Sequence, residues 1–564
     1  MEVPAPLPTA TGVASDPRLR TPSASVQGVR KGQSTMDQGP TGEVERPPDP
    51  SFESILFDRP DPEGAAETLP PPEYFGDLHL HETVASITSG REVYNLAPIF
   101  YAPLRDVGTI RYRHDVFRDL EGTAARSIVE SFARSMQAMR AHLARANKAH
   151  YRYEQERWVV DAAAIYCDAV AVLTRDLTGA EIHSRGLLAF RDYLERYTGS
   201  PEFTALRDDT RQLNADLAAV RYQLRIDGTR VTVSRYDGEP DYGAEVLQAF
   251  AKFKRGAGKE YRFQFSAGSE MNHIEAAIVE RVARLFPDLF GSLDAYCARH
   301  REFPDPKIRR FDREVQFYIA YLEHVDRLRQ AGLPFCYPEV SDHSKAIYGR
   351  GVFDLALAKR LVDAHATVVT NDFYLEAAER ILVVSGPNQG GKTTFARTIG
   401  QLHHLARIGV PVPGVEARLY LVDQIFTHFE REEIVEDLTG KLEHDLHRMR
   451  QILEQATSDS LLLMNESFSS TTVADQLIIS QEVLQAAIAR GMLGVVVTFL
   501  DELASLHPST VSMVSTVDPE EPARRTFKIV RRPADGLAYA VALAEKHRLT
   551  YEGVRARIGP CTSA

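Results

Sequence analysis

The chain has 564 residues, a net charge of −12 and an apolar share of 44%, enough for two or more domains with large cores. Its acidity excludes a protein that coats nucleic acid by bulk charge, although a local basic stripe on an acidic body stays compatible with binding it. The four cysteines, Cys167, Cys297, Cys336 and Cys561, are too far apart for a disulfide framework or a zinc site, and no run reaches the roughly twenty apolar residues of a membrane span. With no basic-then-apolar leader at its start, the chain reads as soluble and cytoplasmic, with no membrane partner.

The first 72 residues hold nearly half of all the prolines and few large apolar residues. That composition cannot offset ordering entropy by burial, so residues 1–72 read as a disordered tail, within which Met36 offers an alternative start. From Tyr74 the pattern becomes helical, and residues 73–337 form a mainly helical region. Three stripes carry a 3/4 alternation resembling long coiled-coil-like arms. They are Ile128, Phe132, Met136, Met139 and Leu143; then Leu206, Thr210, Leu213, Leu217, Val220 and Leu224; then Phe311, Val315, Tyr318, Leu322 and Val325.

Between the second and third stripes the period switches to alternation. Tyr222, Leu224 and Ile226 lead to Asp227-Gly228, a two-residue hairpin signal, and Val231 and Val233 alternate after it. Lys252, Lys254, Arg255, Lys259 and Arg262 follow, interleaved with Phe253, Tyr261 and Phe263. This cluster reads either as a solvated loop face or as a phosphate-backbone contact at the tip of an arm spanning about residues 222–270. A helical segment from about Asn272 leads back.

Residues 338–558 alternate strand-like and helical segments, as an α/β nucleotide-binding domain does. Strands are expected at Ile381 to Ser385, Arg418 to Val422, Leu461 to Met464 and Leu493 to Thr498. Directly after the first comes Gly386-Pro387-Asn388-Gln389-Gly390-Gly391-Lys392-Thr393-Thr394. Glycines here let the backbone aim its N–H groups at a polyphosphate seated on the next helix. Lys392 is placed to reach the β/γ oxygens, and Thr393 to offer its hydroxyl to Mg²⁺, so ATP is the expected ligand. Leu461 to Asp475 ends an apolar strand on a polar pair. Glu466 there is the candidate that activates water, and Asn465 the neighbour facing Mg²⁺. His79, His81 and Glu82, and His444, Asp445 and His447, lack a third ligand at metal spacing and read as surface or capping groups. Trp158 reads as packing.

GPNQGGKTT resembles the GPNxGGK[ST]T loop of the MutS family of mismatch-repair ATPases. The order of other features is similar too. Thr370-Asn371-Asp372 resembles an Asn-containing segment, Val422 to Phe426 a VDxIF segment, and Ile452-Leu453 with Ala456-Thr457 the approach to the second motif. The sequence NESFSSTTVAD, with Thr471 and Asp475 in register, stands for DE-x-GRGTSTxD, and Thr498-Phe499 for Thr-His. The resemblance covers most of residues 74–545. It implies a multi-domain fold, a helical lever and clamp with a small β hairpin followed by an α/β P-loop (ABC-like) ATPase domain. It also implies a homodimeric, ATP-controlled clamp on duplex, mismatched or branched DNA.

The departures carry expectations of their own. No mismatch-reading domain is expected before Tyr74, so direct mismatch sensing is not expected, and little remains after Tyr551 for a C-terminal dimerisation element. Asn465 removes a negative charge near Mg²⁺, Phe499 replaces a histidine near the γ-phosphate, and Val368 stands where an adenine-stacking aromatic would align. Slow hydrolysis follows from the first two, and looser base selectivity from the third. The alternative reading is an ATP-bound switch or scaffold whose arms hold a protein partner.

Overall fold

The computed structural model describes residues 52–59, 69–238, 271–376, 378–430, 440–518, 524–534 and 549–558, with isolated positions 245, 248, 249 and 520. All belong to one compact unit, Pro50–Ala564. Among the described residues no helix is long and apolar enough to cross a membrane.

Short helices α1 (Tyr74–Asp77), α2 (Leu80–Thr88) and α3 (Ala97–Tyr101) lead into α4 (Val107–Glu121), α5 (Thr123–Lys148) and α6 (Arg152–Thr178). Helices α5 and α6 pack along each other through the first predicted stripe, with Phe132, Met136 and Met139 buried and Ile128 and Leu143 half-buried. Helices α7 (Arg185–Thr198) and α8 (Pro201–Ala219) follow. On α8 the second stripe buries Leu206, Thr210 and Leu213, but its last member, Leu224, lies instead on the hairpin β1 (Tyr222–Asp227) and β2 (Arg230–Arg235). The hairpin pairs Asp227 with Arg230 around the expected turn, and Ile226 stays mostly exposed on it. Helix α9 (His273–Leu285) starts at a capping box, where Asn272 accepts from Ile274 and Glu275 N–H while Glu275 accepts from Asn272 N–H. Helix α10 (Pro287–Arg299) then leads to α11 (Pro306–Gln330).

Two expectations need correcting. The third stripe does not make an arm, because between Phe311 and Val325 α11 is buried or half-buried on every side, including Asp312, Glu314, Gln316 and His324. A helix buried all round is a core helix, and Phe311 stacks on Phe190 at 3.6 Å between ring centroids. Nor does the tail reading hold through residue 72. Phe52, Ile55 and Leu56 are buried, and their backbone is held by remote side chains. Glu314 accepts from Ile55 N–H and from the Ser54 hydroxyl at 2.9 Å, Tyr112 donates to Ser54 O at 2.8 Å, and Arg113 donates to Leu56 O at 3.0 Å. Three apolar anchors and these bonds offset the ordering entropy of a short segment that its composition alone could not hold.

The remainder is α/β. A six-stranded sheet has the order β10 (Ile425–Phe429), β11 (Leu461–Asn465), β12 (Leu493–Val497), β7 (Ile381–Ser385), β13 (Thr510–Val517), β14 (Arg525–Arg531). Its pairs are parallel except β13 with β14. A second sheet has the order β4 (Glu339–Ser341), β9 (Glu416–Tyr420), β5 (Ile347–Val352), β6 (Asn371–Leu375), and a two-stranded piece joins β3 (Phe335–Cys336) to β8 (Val412–Pro413). The strand expected at Arg418 to Val422 is thus β9, in the second sheet and ending at Tyr420. Helix α12 (Leu355–Asp363) precedes β6. Helix α13 (Lys392–Arg407) follows β7, and α14 (Lys441–Gln455) and α15 (Val473–Arg490) flank the large sheet. Gly400 lets α13 pass closely between sheet and helices, since a Cβ there would meet Leu463 at 2.5 Å and Leu78 at 2.8 Å.

Burial pushes the Glu314 carboxyl up to about 7 from 4.5, against the lowering by its hydrogen bonds. A folded carboxyl that holds its proton more tightly than the unfolded one adds stability at low pH that is lost as pH rises between these values. The Tm of Glu314→Gln should therefore match the parent near pH 4.5 and exceed it increasingly towards pH 7. A constant difference across that window would show that Glu314 is ionised throughout.

Candidate nucleotide site

The loop after β7 is shaped by backbone that ordinary side chains resist. Gly386 has φ 114° and Gly391 φ 91°, while Gln389 adopts 60° at the exposed crown. A Cβ on Gly390 would lie 2.3 Å from Ser515 Oγ and 2.9 Å from Pro387 O. Ser515, on the neighbouring strand β13, donates to Gly390 O at 2.7 Å and so fixes the loop from below. From the other side Arg525 donates to the exposed Asn388 at its carbonyl, 3.2 Å. Helix α13 begins at Lys392, and its first-turn N–H groups have no intrahelical acceptor, the arrangement that favours an anion.

Lys392 is 4% exposed. Its Nζ donates to Gly386 O at 2.8 Å, lies 3.9 Å from Glu466 Oε1, and sits 3.8 Å from the Phe499 ring centroid. Burial brings its pKa down to about 8, opposed by Glu466 and Asp501. Thr393 Oγ1 donates to Asn465 Oδ1 at 2.7 Å, joining the start of α13 to the end of β11. Glu466 holds φ 48°, its N–H donating to Val497 O at 2.9 Å, so its carboxylate leaves the sheet end towards Lys392. Thr394 accepts from the Thr398 hydroxyl within α13.

The segment after Glu466 is built into the fold. Phe468 is fully buried at φ 61° against His428 of β10. Ser467 Oγ donates to His428 O at 3.0 Å and lies 2.8 Å from His428 Nδ1. Burial, reinforced by Arg448, holds that imidazole below its usual pKa. Thr472 caps α15, and Asp475 receives the Thr472 hydroxyl at 2.8 Å.

The structure therefore brings together residues 386–394, Asn465, Glu466 and Phe499. Lys252, Lys254, Arg255, Lys259 and Arg262 lie outside the described residues. Val368 is half-buried against the core. Three participants escaped the sequence reading: Ser515, Arg525 and Phe527. Phe527 is half-exposed at φ 57° beside Gly391, and its carbonyl accepts from Asn371 Nδ2 at 3.1 Å. Asn371 also accepts from Ile529 N–H at 2.8 Å, which ties the Thr370-Asn371-Asp372 segment to β14. No local motif marks β13 or β14; only strand order shows that they border the loop.

A parallel sheet with this loop between a central strand and a buried helix defines an ATPase-type domain. Residues 382–546 match the family model described as MutS domain V. Over 186 residues the chain is 33% identical to endonuclease MutS2 of Thermus thermophilus, a match covering 33% of this chain and 25% of that protein. It is 28% identical over 328 residues to DNA mismatch repair protein MutS of Chlorobium phaeobacteroides, covering 56% of this chain and 35% of that one. These matches span about a quarter to a third of the relatives' length.

The contact between Gly390 and Ser515 makes the loop intolerant of a methyl group. Gly390→Ala should cost about 1–3 kcal/mol through overpacking and should raise amide hydrogen exchange across residues 386–394. Unchanged exchange would show that the loop has room for a Cβ.

Proposed function

We propose that this chain is a MutS-like ATPase that acts as an ATP-controlled clamp on duplex, mismatched or branched DNA, in repair or recombination, working as a homodimer. The observation that carries the reading is the convergence of Lys392, Thr393, Asn465 and Glu466 from one strand end and one helix start. Similarity to a relative named for DNA mismatch repair, and the match of residues 382–546 to MutS domain V, support the DNA half.

In this reading the N–H groups of residues 386–394 cradle the phosphates of ATP. Lys392 turns from Gly386 O to the β/γ oxygens, exchanging a neutral acceptor for charged ones. Thr393 and Asn465 offer a hydroxyl and an amide oxygen, a donor pair that suits a hard cation. They would hold Mg²⁺, which when bound would neutralise phosphate charge. Glu466, at the opposite side of Lys392, orients or deprotonates the attacking water. The arms of α5, α6 and α8, with the hairpin and the basic cluster beyond it, enclose DNA.

Asn465 and Phe499 favour a second reading. A neutral amide attracts Mg²⁺ less than a carboxylate, and an aromatic ring 3.8 Å from the Lys392 ammonium stabilises the resting position through cation–π attraction. A chain so altered would bind ATP, turn it over little, and use its arms on a protein partner.

ATP binding and turnover, with and without duplex and branched DNA, test the proposal. Lys392→Ala should weaken ATP binding about 10- to 100-fold, the loss of a charge-assisted hydrogen bond. Glu466→Ala should leave binding intact and slow turnover about 10²- to 10⁴-fold. DNA should stimulate turnover, and its binding should weaken as salt rises. ATP binding without turnover or DNA binding would instead establish the switch.

A further inference from the structure

A cavity of about 320 Å³, lined by no residue of the phosphate loop, opens where α2, α11 and α12 meet. Its polar lining comes from Ser86, Ser89, Arg91, His324, Arg327 and Lys359, with Glu323 beside them. Two of the cations are already paired: Arg91 donates to Glu323 at 2.8 Å and Lys359 to Asp363 at 2.6 Å. Arg327 has no hydrogen-bond or ion-pair partner among the described residues, and neither do the hydroxyls of Ser86 and Ser89. His324 is 4% exposed, and its Nε2 is buried without a hydrogen-bond partner.

We propose that this cavity is a binding site for a small phosphate-bearing ligand, an inorganic phosphate or a phosphomonoester, with Arg327, Lys359 and His324 as its principal contacts. The inference is independent of the nucleotide site. A buried, unsatisfied imidazole costs on the order of 1–3 kcal/mol, and such a group in a polar cavity calls for a partner. The groups without a hydrogen-bond partner among the described residues can all donate: a guanidinium that only donates, two hydroxyls, and a ring nitrogen that donates in one tautomer or when protonated, around paired cations that retain spare N–H groups. An oxyanion supplies several acceptors to all of them at once and a charge for Arg327 to bond directly, where Asp363 acts on it only at a distance. At ~30 Å³ per water the cavity holds on the order of ten waters, more than one phosphate group needs, so a small organic body fits beside it.

The groups facing His324 agree with this. Burial, then Lys359 and Arg327, push its pKa down to about 4, with Asp363 opposing; Glu323 and Arg91 complete the ring of charges as an ion pair. A bound phosphate would reverse that balance and stabilise the imidazolium. Position gives the site a consequence. Arg327 belongs to the core helix α11 and Lys359 to α12, and at the start of α12 Asp354 pairs with Arg397 and accepts from Gln401, both on α13. An anion held between α11 and α12 would join the helical region to the element beside the loop-bearing helix.

The test follows the His324 ring resonances by NMR in the full chain, assigned with His324→Gln, during titration with inorganic phosphate and then glycerol phosphate. The expected result is a His324 pKa raised by at least ~1 unit, with half-saturation below about 1 mM. Arg327→Ala, an exposed position that leaves the fold intact, and Lys359→Ala should each weaken that response about tenfold or more. The response should persist in Lys392→Ala, which separates it from phosphate bound at the loop. No response at about 20 mM phosphate, an equal response to chloride at matched ionic strength, or a response unaltered by both Arg327→Ala and Lys359→Ala would overturn the proposal. So would an equal response to duplex DNA, which would make the cavity part of a nucleic-acid surface.

Discussion

Helix α13 cannot shift without disturbing nearly everything that packs on it, because it is buried along almost its whole length. Many of its charged and polar side chains are therefore matched by partners from distant parts of the chain, although His403 Nε2, His404 Nε2 and Arg407 Nε are buried without a hydrogen-bond partner among the described residues. Arg397 pairs with Asp354, Gln401 donates to Leu78 O and to Asp354 while accepting from Leu355 N–H, and Arg407 donates to Asp423 O. Tyr74 meets His404 Nδ1 at 3.1 Å. Breaking any of these leaves a buried polar group unsatisfied, which costs more than the bond itself contributes. The loop at the head of α13 is in consequence held between a fixed helix and a fixed strand. A phosphate site needs that rigidity, since its backbone donors must be aimed before the ligand arrives.

The same helix joins the two architectures. Its flanks meet the large sheet at β11 and β12, while Leu78 and Phe75 press on it from the helical side. A movement of the loop in the proposed ATPase would therefore act on α1 and, through Asp354, on α12. That linkage is the mechanical route by which the proposed ATPase would act on its arms.

The loop and β7, β11 and β12 were legible in the sequence because each is a short apolar run bounded by turn chemistry. The hairpin at Asp227-Gly228 was legible for the same reason. Helix α11 was misread because periodicity reports one stripe only. Asp312, Arg313 and Glu314 look like a solvated face, and nothing local says that Arg140 and the 52–57 segment meet them. That segment was itself hidden by its proline-rich surroundings, its anchors including partners from 57 to 260 residues away. Ser515, Arg525 and Phe527 were invisible for a topological reason: strand order, not sequence order, sets β13 and β14 beside the loop.

At the site the departures from the family pattern are structural facts with electrostatic consequences. Asn465 accepts from Thr393 as a carboxylate would but contributes no charge, and Phe499 shields the ammonium of Lys392 where a polar side chain would hydrate it. Burial, helped by Arg525 and opposed by Glu466 and Asp501, leaves Lys392 with a pKa of about 8. Nucleotide phosphates select the charged ammonium, so the account's central claim, that Lys392 binds them, is tested by ATP affinity measured calorimetrically from pH 7 to about 9.5. The account predicts constant affinity until about pH 8 and then a fall approaching ~tenfold per pH unit, with no such fall in Lys392→Ala. An affinity that stays level across the range in the parent, or a fall that survives Lys392→Ala, would contradict it.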